Sequence, residues 1–127
     1  MAIVRATESP RFDLPGVHFF GLLSPNRGST ELCTWRLEVD PGAGARGEPH
    51  QLDSEEIFVG LEGSLTITID GQAFDLGVGD AIAVPARSLL SASNLTSAPA
   101  KALVCIRVGF RAVMANGEEI GTPPWAL

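Results

Sequence analysis

The sequence alternates apolar and polar residues over short stretches, and turn residues interrupt the alternation at intervals of roughly eight to twelve positions. The clearest example is segment 31–40, in which one face carries Cys33, Trp35, Leu37 and Val39. A period of two is typical of a β-strand that is buried on one side only. No segment shows the apolar spacing of a long helix. The pattern therefore predicts an all-β sandwich or barrel with little helix.

Turn residues divide the remainder of the chain into further candidate strands. We expect these at 56–62, 64–69, 73–76, 81–84, 90–94 and 101–111. The apolar N-terminal region 12–23 is expected to enter a sheet as well. The C-terminal tail 116–127 contains Pro123 and Pro124, which exclude a central strand there. We expect Trp125 in this tail to pack against the outside of a sheet or against a partner subunit.

Length and composition limit the classes of protein that fit. The 127 residues are enough for a single domain, which we place at 1–127, and 45% hydrophobic residues suffice for a core. Acidic residues number 15 against 9 basic ones, and the basic residues are scattered, so we expect neither nucleic acid nor membrane as a partner. With no long apolar segment and no leader-like start, we expect a soluble, cytoplasmic protein.

The two cysteines, Cys33 and Cys105, lie far apart in apolar stretches. Their spacing is not that of a metal-binding or redox motif, so we interpret both as buried free thiols. The sequence alone leaves a disulfide open.

Two spaced motifs occupy the core region 44–94. The first reads Gly44, five residues, His50, one residue, Leu52, three residues, Glu56, six residues, Gly63. The second reads Gly79, five residues, Pro85, one residue, Arg87, two residues, Leu90, three residues, Asn94. Together they resemble the paired motifs of the cupin superfamily, which are small jelly-roll β-barrels. The family has histidine where this chain has Leu52 and Leu90, and glycine where it has Arg87.

The resemblance implies a cupin jelly-roll barrel and, in most members, a divalent metal held by three histidines and a glutamate. This chain retains His50 and Glu56, but the two leucines offer no lone pair. One imidazole and one carboxylate are fewer ligands than catalytic metal sites use. We therefore expect no bound metal and no other cofactor. If a divalent metal does bind, His50 and Glu56 are its ligands, and His18 is the first candidate for a third.

The pair His50 and Glu56 has two interpretations. A buried carboxylate without metal must be hydrogen-bonded or protonated, so the two groups can form a structural ion pair. They can also act as a catalytic acid and base on a bound molecule.

A ligand site inside the barrel is expected beside this pair. Period two places Phe58 and Gly60 on the same inward face as Glu56, and Gly60 removes side-chain volume there. The candidate ligand-binding residues are Trp35, Leu52, Phe58, Gly60, Leu90 and Asn94. For Trp35 a core position is favoured, because it shares a face with Cys33 and Leu37, and stacking on a ligand is the alternative.

The alternation and the loops also bear on the positions of two arginines. Arg107 shares a face with Leu103 and Cys105, which favours the outer or subunit-contact side of the sheet, but an inward cation poised for a carboxylate is the alternative. Arg87, beside Pro85, is expected to be a solvated charge on a rim loop.

Two functions remain open. The first is a binding module that holds a small, largely apolar molecule in a metal-free barrel. The second is a cupin-type enzyme that uses His50 and Glu56, either a metal-dependent oxygenase or a metal-independent isomerase, cyclase or lyase. We also expect a homodimer, because the resemblance implies one and because Ile57, Val59 and Leu61 are apolar residues on the outer face.

Overall fold

A computed structural model describes residues 1–42 and 48–127, so Gly44 of the first motif lies outside the described residues. The strands are β1 (Arg11–Leu14), β2 (Val17–Gly21), β3 (Leu32–Val39), β4 (His50–Leu52), β5 (Glu56–Glu62), β6 (Leu65–Ile69), β7 (Gln72–Leu76), β8 (Ala81–Val84), β9 (Leu90–Ser93), β10 (Ala100–Arg107), β11 (Ala112–Met114) and β12 (Glu119–Gly121). Short 3₁₀ helices lie at Ala6–Glu8, Pro25–Arg27 and Pro124–Ala126. In the described ranges, no helix has the length and apolar character needed to span a bilayer.

The strands form two antiparallel six-stranded sheets. Sheet 1 has the order β1-β2-β3-β10-β5-β8, and sheet 2 has the order β12-β11-β4-β9-β6-β7. Strands that are distant in the chain are neighbours in both sheets, as in a jelly roll. The all-β barrel predicted from the alternation is confirmed.

The core lies between the inner faces of the two sheets. In β3 the alternating residues Cys33, Trp35, Leu37 and Val39 are all buried, as the period of two predicts. Sheet 2 contributes Leu65 and Ile67 of β6, which are at most 1% exposed. In β3 the same alternation leaves Thr34, Arg36 and Glu38 on the outer face.

The predicted strand at 101–111 ends earlier than expected. It stops at Arg107, because Gly109 turns the chain with φ of +82°. Phe110 then enters the core, where its ring lies 5.9 Å from that of Trp35. The N-terminal region 12–23 forms strand β2 and most of β1, joined by a turn at Gly16 with φ of +73°.

The C-terminal tail packs inside the fold, not against its outer face. Trp125 stacks on Phe19 with ring centroids 3.7 Å apart and meets the edge of Trp35 at 6.4 Å. Arg27 donates a hydrogen bond to the carbonyl of Trp125 at 2.7 Å, and Ser24 donates one to Leu127. The expected position of Trp125 outside the sheet is therefore wrong, because the inward rings of Phe19 and Trp35 already offer it an apolar surface. Contact of Trp125 with a partner subunit stays a prediction.

Candidate functional site

Glu56 is a carboxyl group inside the barrel. It begins β5 and faces inward with a side chain that is 4% exposed. Its strand neighbours Ile106 and Val84 are apolar. Burial raises the pKa of the Glu56 carboxyl to about 8, because the charged form loses its hydration. Glu56 is therefore mostly protonated at neutral pH and can donate a hydrogen bond or a proton.

His50 enters the barrel wall from the opposite sheet. It shares a face of β4 with the buried Leu52 and is itself half-buried. Its Nδ1 lies 2.9 Å from the carbonyl oxygen of Glu48. Because a carbonyl oxygen only accepts hydrogen bonds, Nδ1 carries the proton, and the neutral ring has its lone pair on Nε2. The Glu48 carbonyl thus fixes the orientation of the His50 ring.

The two groups do not form an ion pair in the described structure. In residues 1–42 and 48–127, no ion pair within 4.0 Å joins a nitrogen of His50 to an oxygen of Glu56. Within the same ranges, no hydrogen bond satisfies the Glu56 carboxyl, and burial is the cause of its raised pKa. The structural ion pair is thus wrong for this conformation. Glu56 and His50 lie on strands of different sheets, β5 and β4.

The residues present do not fit the metal centre that the resemblance implies. Leu52 and Leu90 occupy two of the four ligand positions and are 7% and 2% exposed, so their apolar side chains fill the barrel wall there. In residues 1–42 and 48–127, no cluster of three or more His, Cys, Asp or Glu side chains is placed to hold a metal ion. A site of one imidazole and one carboxylate lacks the ligands that such centres use.

Gly60 does not create space for a ligand, contrary to the sequence-based expectation. A Cβ at Gly60 would lie 2.0 Å from the carbonyl oxygen of Gly77. The backbone amide of Gly60 also donates to Asp80, and Gly79 donates to the Gly60 carbonyl. The missing side chain therefore admits the β7–β8 turn, whereas Phe58, two residues earlier, is buried in the core as predicted.

Asn94 is fully buried, and its side-chain amide is committed to the fold. Nδ2 donates to the carbonyls of Val39 at 3.0 Å and Ala98 at 2.7 Å. Oδ1 accepts from the amide and the hydroxyl of Thr96. Since both donors and both lone pairs are used, the expectation that Asn94 contacts a ligand is corrected: it joins the end of β3 to the loop after β9.

His18 lies on the outer face of sheet 1 and is not a third ligand near Glu56. Its Nδ1 is 2.6 Å from Asp13 and its Nε2 is 3.0 Å from Asp40. The hydrogen bond to Asp13 is the main cause that raises the pKa of His18. The outward position follows from the register, in which His18 pairs with Glu38 while its neighbour Val17 is buried.

Arg107 is on the outer side of its sheet, as expected. Its Nε donates to Ser54 Oγ at 2.8 Å. It borders a surface depression that is lined by Leu32, Ser54, Glu55, Ile57, Cys105, Ile106 and Arg107. Arg87 is exposed at the rim, where it adopts φ of +66° and its amide donates to the Leu52 carbonyl.

Two features of the site were not predicted from sequence. The Glu48 carbonyl that orients His50 is a backbone group, which side-chain motifs do not report. Cys33 faces the same interior as Glu56, and burial raises the pKa of its thiol to about 11. Alternation alone places Cys33 and Glu56 on the inward faces of β3 and β5. Only the pairing of both strands with β10 shows that the two residues share one part of the interior.

Comparison with known proteins agrees with the geometry. The family described as cupin domain matches residues 35–106. The β-D-galactosidase Rv1717 of Mycobacterium tuberculosis (strain ATCC 25618 / H37Rv) is 33% identical over 110 residues, which cover 84% of this chain and 93% of the relative.

Two solved structures illustrate the fold similarity. The polyketide cyclase RemF of Streptomyces resistomycificus has a TM-score of 0.73 at 19% identity, with 98% of this chain and 88% of that chain covered. A sugar phosphate isomerase of the cupin superfamily from Silicibacter pomeroyi DSS-3 has a TM-score of 0.66 at 23% identity, with 80% of this chain and 66% of that chain covered. These two structures support the fold alone.

Proposed function

This chain belongs to the cupin family, and from that premise we propose that it is an enzyme whose barrel transfers protons to and from a small uncharged substrate. The observation that carries this proposal is the burial of the Glu56 carboxyl in an apolar interior, which raises its pKa to about 8. A catalytic acid must hold its proton at working pH, and burial of a carboxyl group is one established way to achieve this. A structural role for the same group would leave it paired, and Glu56 has no partner among the described residues.

In this proposal Glu56 is the general acid and His50 is the general base. Glu56 donates its proton to the leaving oxygen of the substrate. Nε2 of His50 accepts a proton from the attacking water, since Nδ1 is held by the Glu48 carbonyl. Neither step passes through a metal ion.

The substrate class we propose is a β-D-galactoside. A relative that is 33% identical over 84% of this chain is a β-D-galactosidase, and hydrolysis of a glycosidic bond uses an acid and a base. Glu56 protonates the glycosidic oxygen as the bond to the anomeric carbon breaks, and water activated by His50 attacks that carbon. The products are galactose and an alcohol. Glycosidases generally use a second carboxylate as base, so His50 in that role is a departure from the usual pair.

Leaving-group dependence tests the role of Glu56. Methyl β-D-galactopyranoside needs a proton on its leaving oxygen, whereas the p-nitrophenyl glycoside leaves more easily without one. Glu56→Gln should reduce kcat for the methyl glycoside by about 10²-fold or more and affect the p-nitrophenyl glycoside far less. Glu31→Gln, an exposed carboxylate, is the matched control. Equal losses on both substrates would remove Glu56 as the acid, and no turnover of either by the unmodified protein would refute the substrate class.

A binding module is the second candidate. The buried Leu52, Phe58 and Leu90 give the interior an apolar lining, which favours a small apolar ligand. Thermal unfolding in the presence of galactose, methyl β-D-galactopyranoside and a panel of small apolar compounds distinguishes the candidates. If only apolar compounds raise Tm and no glycoside is turned over, the binding module is supported.

A further inference from the structure

The depression that Arg107 borders lies on the outer face of sheet 1, where β3 and β5 begin and β10 ends. Its volume is about 220 Å³. Pockets for drug-sized ligands measure roughly 300–1,000 Å³, so this depression suits a smaller molecule. Glu56 and its partner Ile106 are buried on the inner face, whereas Ile57 and Cys105 lie on the outer face. The depression is therefore separate from the candidate site in the barrel.

One wall of the depression holds a guanidinium in a fixed position. Arg107 Nε donates to Ser54 Oγ at 2.8 Å, and Ser54, which is 7% exposed, donates in turn to Asp53 Oδ1 at 3.1 Å. The backbone amide of Arg111 also donates to Asp53. In the part of the chain that the structure describes, no carboxylate lies within 4.0 Å of the Arg107 nitrogens. Its terminal nitrogens are thus oriented and available to a carboxylate ligand.

The same depression contains an anion. Glu55 is exposed in the loop between β4 and β5, and it lines the depression together with Arg107. Across the described ranges, no side-chain cation lies within 4.0 Å of the Glu55 carboxylate. A ligand that pairs with both charges must itself carry an anion and a cation close together. A carboxylate and an ammonium on one carbon atom, as in every α-amino acid, meet that requirement.

The remaining wall is apolar. Leu32 is 55% exposed and Ile57 is 37% exposed, and both line the depression. The register pairs Leu32 with Arg107 and Ile57 with Cys105, so the apolar side chains lie beside the guanidinium and the thiol. An apolar group of a ligand would remove this exposed surface from water, which favours binding.

We propose that this depression binds a free α-amino acid with an apolar side chain, such as leucine or phenylalanine. Arg107 binds the α-carboxylate and Glu55 binds the α-ammonium. The side chain of the ligand packs on Leu32 and Ile57. A fatty acid would leave Glu55 without a partner, and an apolar amine would leave Arg107 without one. The proposal does not depend on the galactosidase activity, because the depression and the barrel interior lie on opposite faces of sheet 1.

Isothermal titration calorimetry of the full chain with L-leucine and L-phenylalanine tests the proposal. At least one of the two should bind, with about one molecule per chain. N-acetyl derivatives lack the ammonium, amides lack the carboxylate, and glycine lacks the side chain, so each should bind at least tenfold more weakly. Absence of binding of both amino acids at millimolar concentration overturns the proposal. Binding of the N-acetyl derivative or the amide as tight as that of the parent amino acid does so as well.

Two substitutions test the position of the ligand. Arg107→Gln and Glu55→Gln should each weaken binding at least tenfold, because each removes one charge from the depression. Arg5→Gln and Glu119→Gln are the matched controls at exposed positions that do not line the depression, and they should leave the affinity unchanged. Circular dichroism verifies that each variant is folded. Unchanged affinity in a folded Arg107→Gln or Glu55→Gln variant overturns the proposal.

Protection of Cys105 gives a second, independent readout. Its thiol lines the depression and is partly exposed, so a bound amino acid should shield it. Saturation with leucine or phenylalanine, whichever binds, should slow the reaction of native Cys105 with a disulfide reagent severalfold, whereas glycine at the same concentration should not. An unchanged rate at saturation would place the amino acid elsewhere on the protein and overturn the proposed site.

Discussion

Cys33 and Glu56 face the barrel interior on either side of Ile106, the residue of β10 that pairs with both of them. Cys33, Ile106 and Glu56 therefore form a row across three strands, and this interior row holds two ionisable groups in apolar surroundings. Burial raises the pKa of Glu56 to about 8 and that of Cys33 to about 11. At neutral pH both groups are predominantly neutral, and the neutral forms cost the least free energy to bury in a low-dielectric interior.

Glu56 should make the protein less stable as pH rises. In the native state the carboxyl keeps its proton up to about pH 8, whereas in the unfolded chain it loses the proton near its ordinary value of 4.5. Between these values the native state binds more protons, so the free energy of unfolding falls with pH, by at most about 1.4 kcal/mol per pH unit. Urea unfolding from pH 4.5 to pH 8.5 measures the slope.

Glu56→Gln is the control for that slope, because glutamine cannot ionise. His18 contributes in the same direction above its ordinary value of 6.5, so the difference between the two proteins isolates Glu56. Identical pH dependence in both proteins would mean that the native pKa of Glu56 is not raised.

The two thiols should differ in reactivity. Cys33 is fully buried, whereas Cys105 is partly exposed on the outer face of sheet 1. Because only accessible thiolate reacts, a disulfide reagent at pH 8 should modify one thiol per native chain and two per unfolded chain. Cys105→Ser should abolish the native signal. Persistence of that signal would show that the interior row opens readily.

His18 should titrate above its ordinary value of 6.5 because Asp13 and Asp40 hold its ring from both sides. NMR titration of its ring protons measures this directly. Asp13→Asn should lower the pKa of His18 more than Asp40→Asn does, since the hydrogen bond to Asp13 is the larger cause. A larger effect from Asp40 would reverse this assignment.

Gly60→Ala should destabilise the protein by about 1–3 kcal/mol, because its Cβ would overlap the backbone carbonyl of Gly77. Gly77→Ala should cost less. A Cβ there would meet only Asp80 Oδ2 at 3.3 Å, and a side chain can move where a backbone cannot. Guanidinium unfolding compares the two. Equal losses of stability would show that the β7–β8 turn moves as easily as the side chain of Asp80.

The alternation within a single strand was sufficient to predict which of its residues face the core. The inward set Glu56 and Phe58 followed from the alternation along β5. Gly60 was misinterpreted because its role depends on a turn seventeen residues later. Trp125 was misplaced for a similar reason: the rings that receive it, Phe19 and Trp35, are distant in sequence.

The candidate residues could be named from the sequence, but the contacts that they make could not. Spacing identified His50 and Glu56, yet nothing in the spacing could show whether the two side chains touch. The hydrogen bond between His50 Nδ1 and the Glu48 carbonyl is likewise absent from the spacing, because its acceptor is a backbone group. The commitment of Asn94 to Val39, Thr96 and Ala98 is likewise a product of tertiary structure.

The position of β10 has a consequence for how the chain folds. β10 lies between β3 and β5, so sheet 1 remains in two pieces until residues 100–107 have been synthesised and inserted. Pairings over such sequence distances are slow to form, and until they do the apolar edges of β3 and β5 are open to chaperones and to aggregation. Until β10 is inserted, Glu56 remains accessible to water and titrates like an ordinary glutamate. Its acidity could thus report, in a refolding experiment, the moment at which the barrel closes.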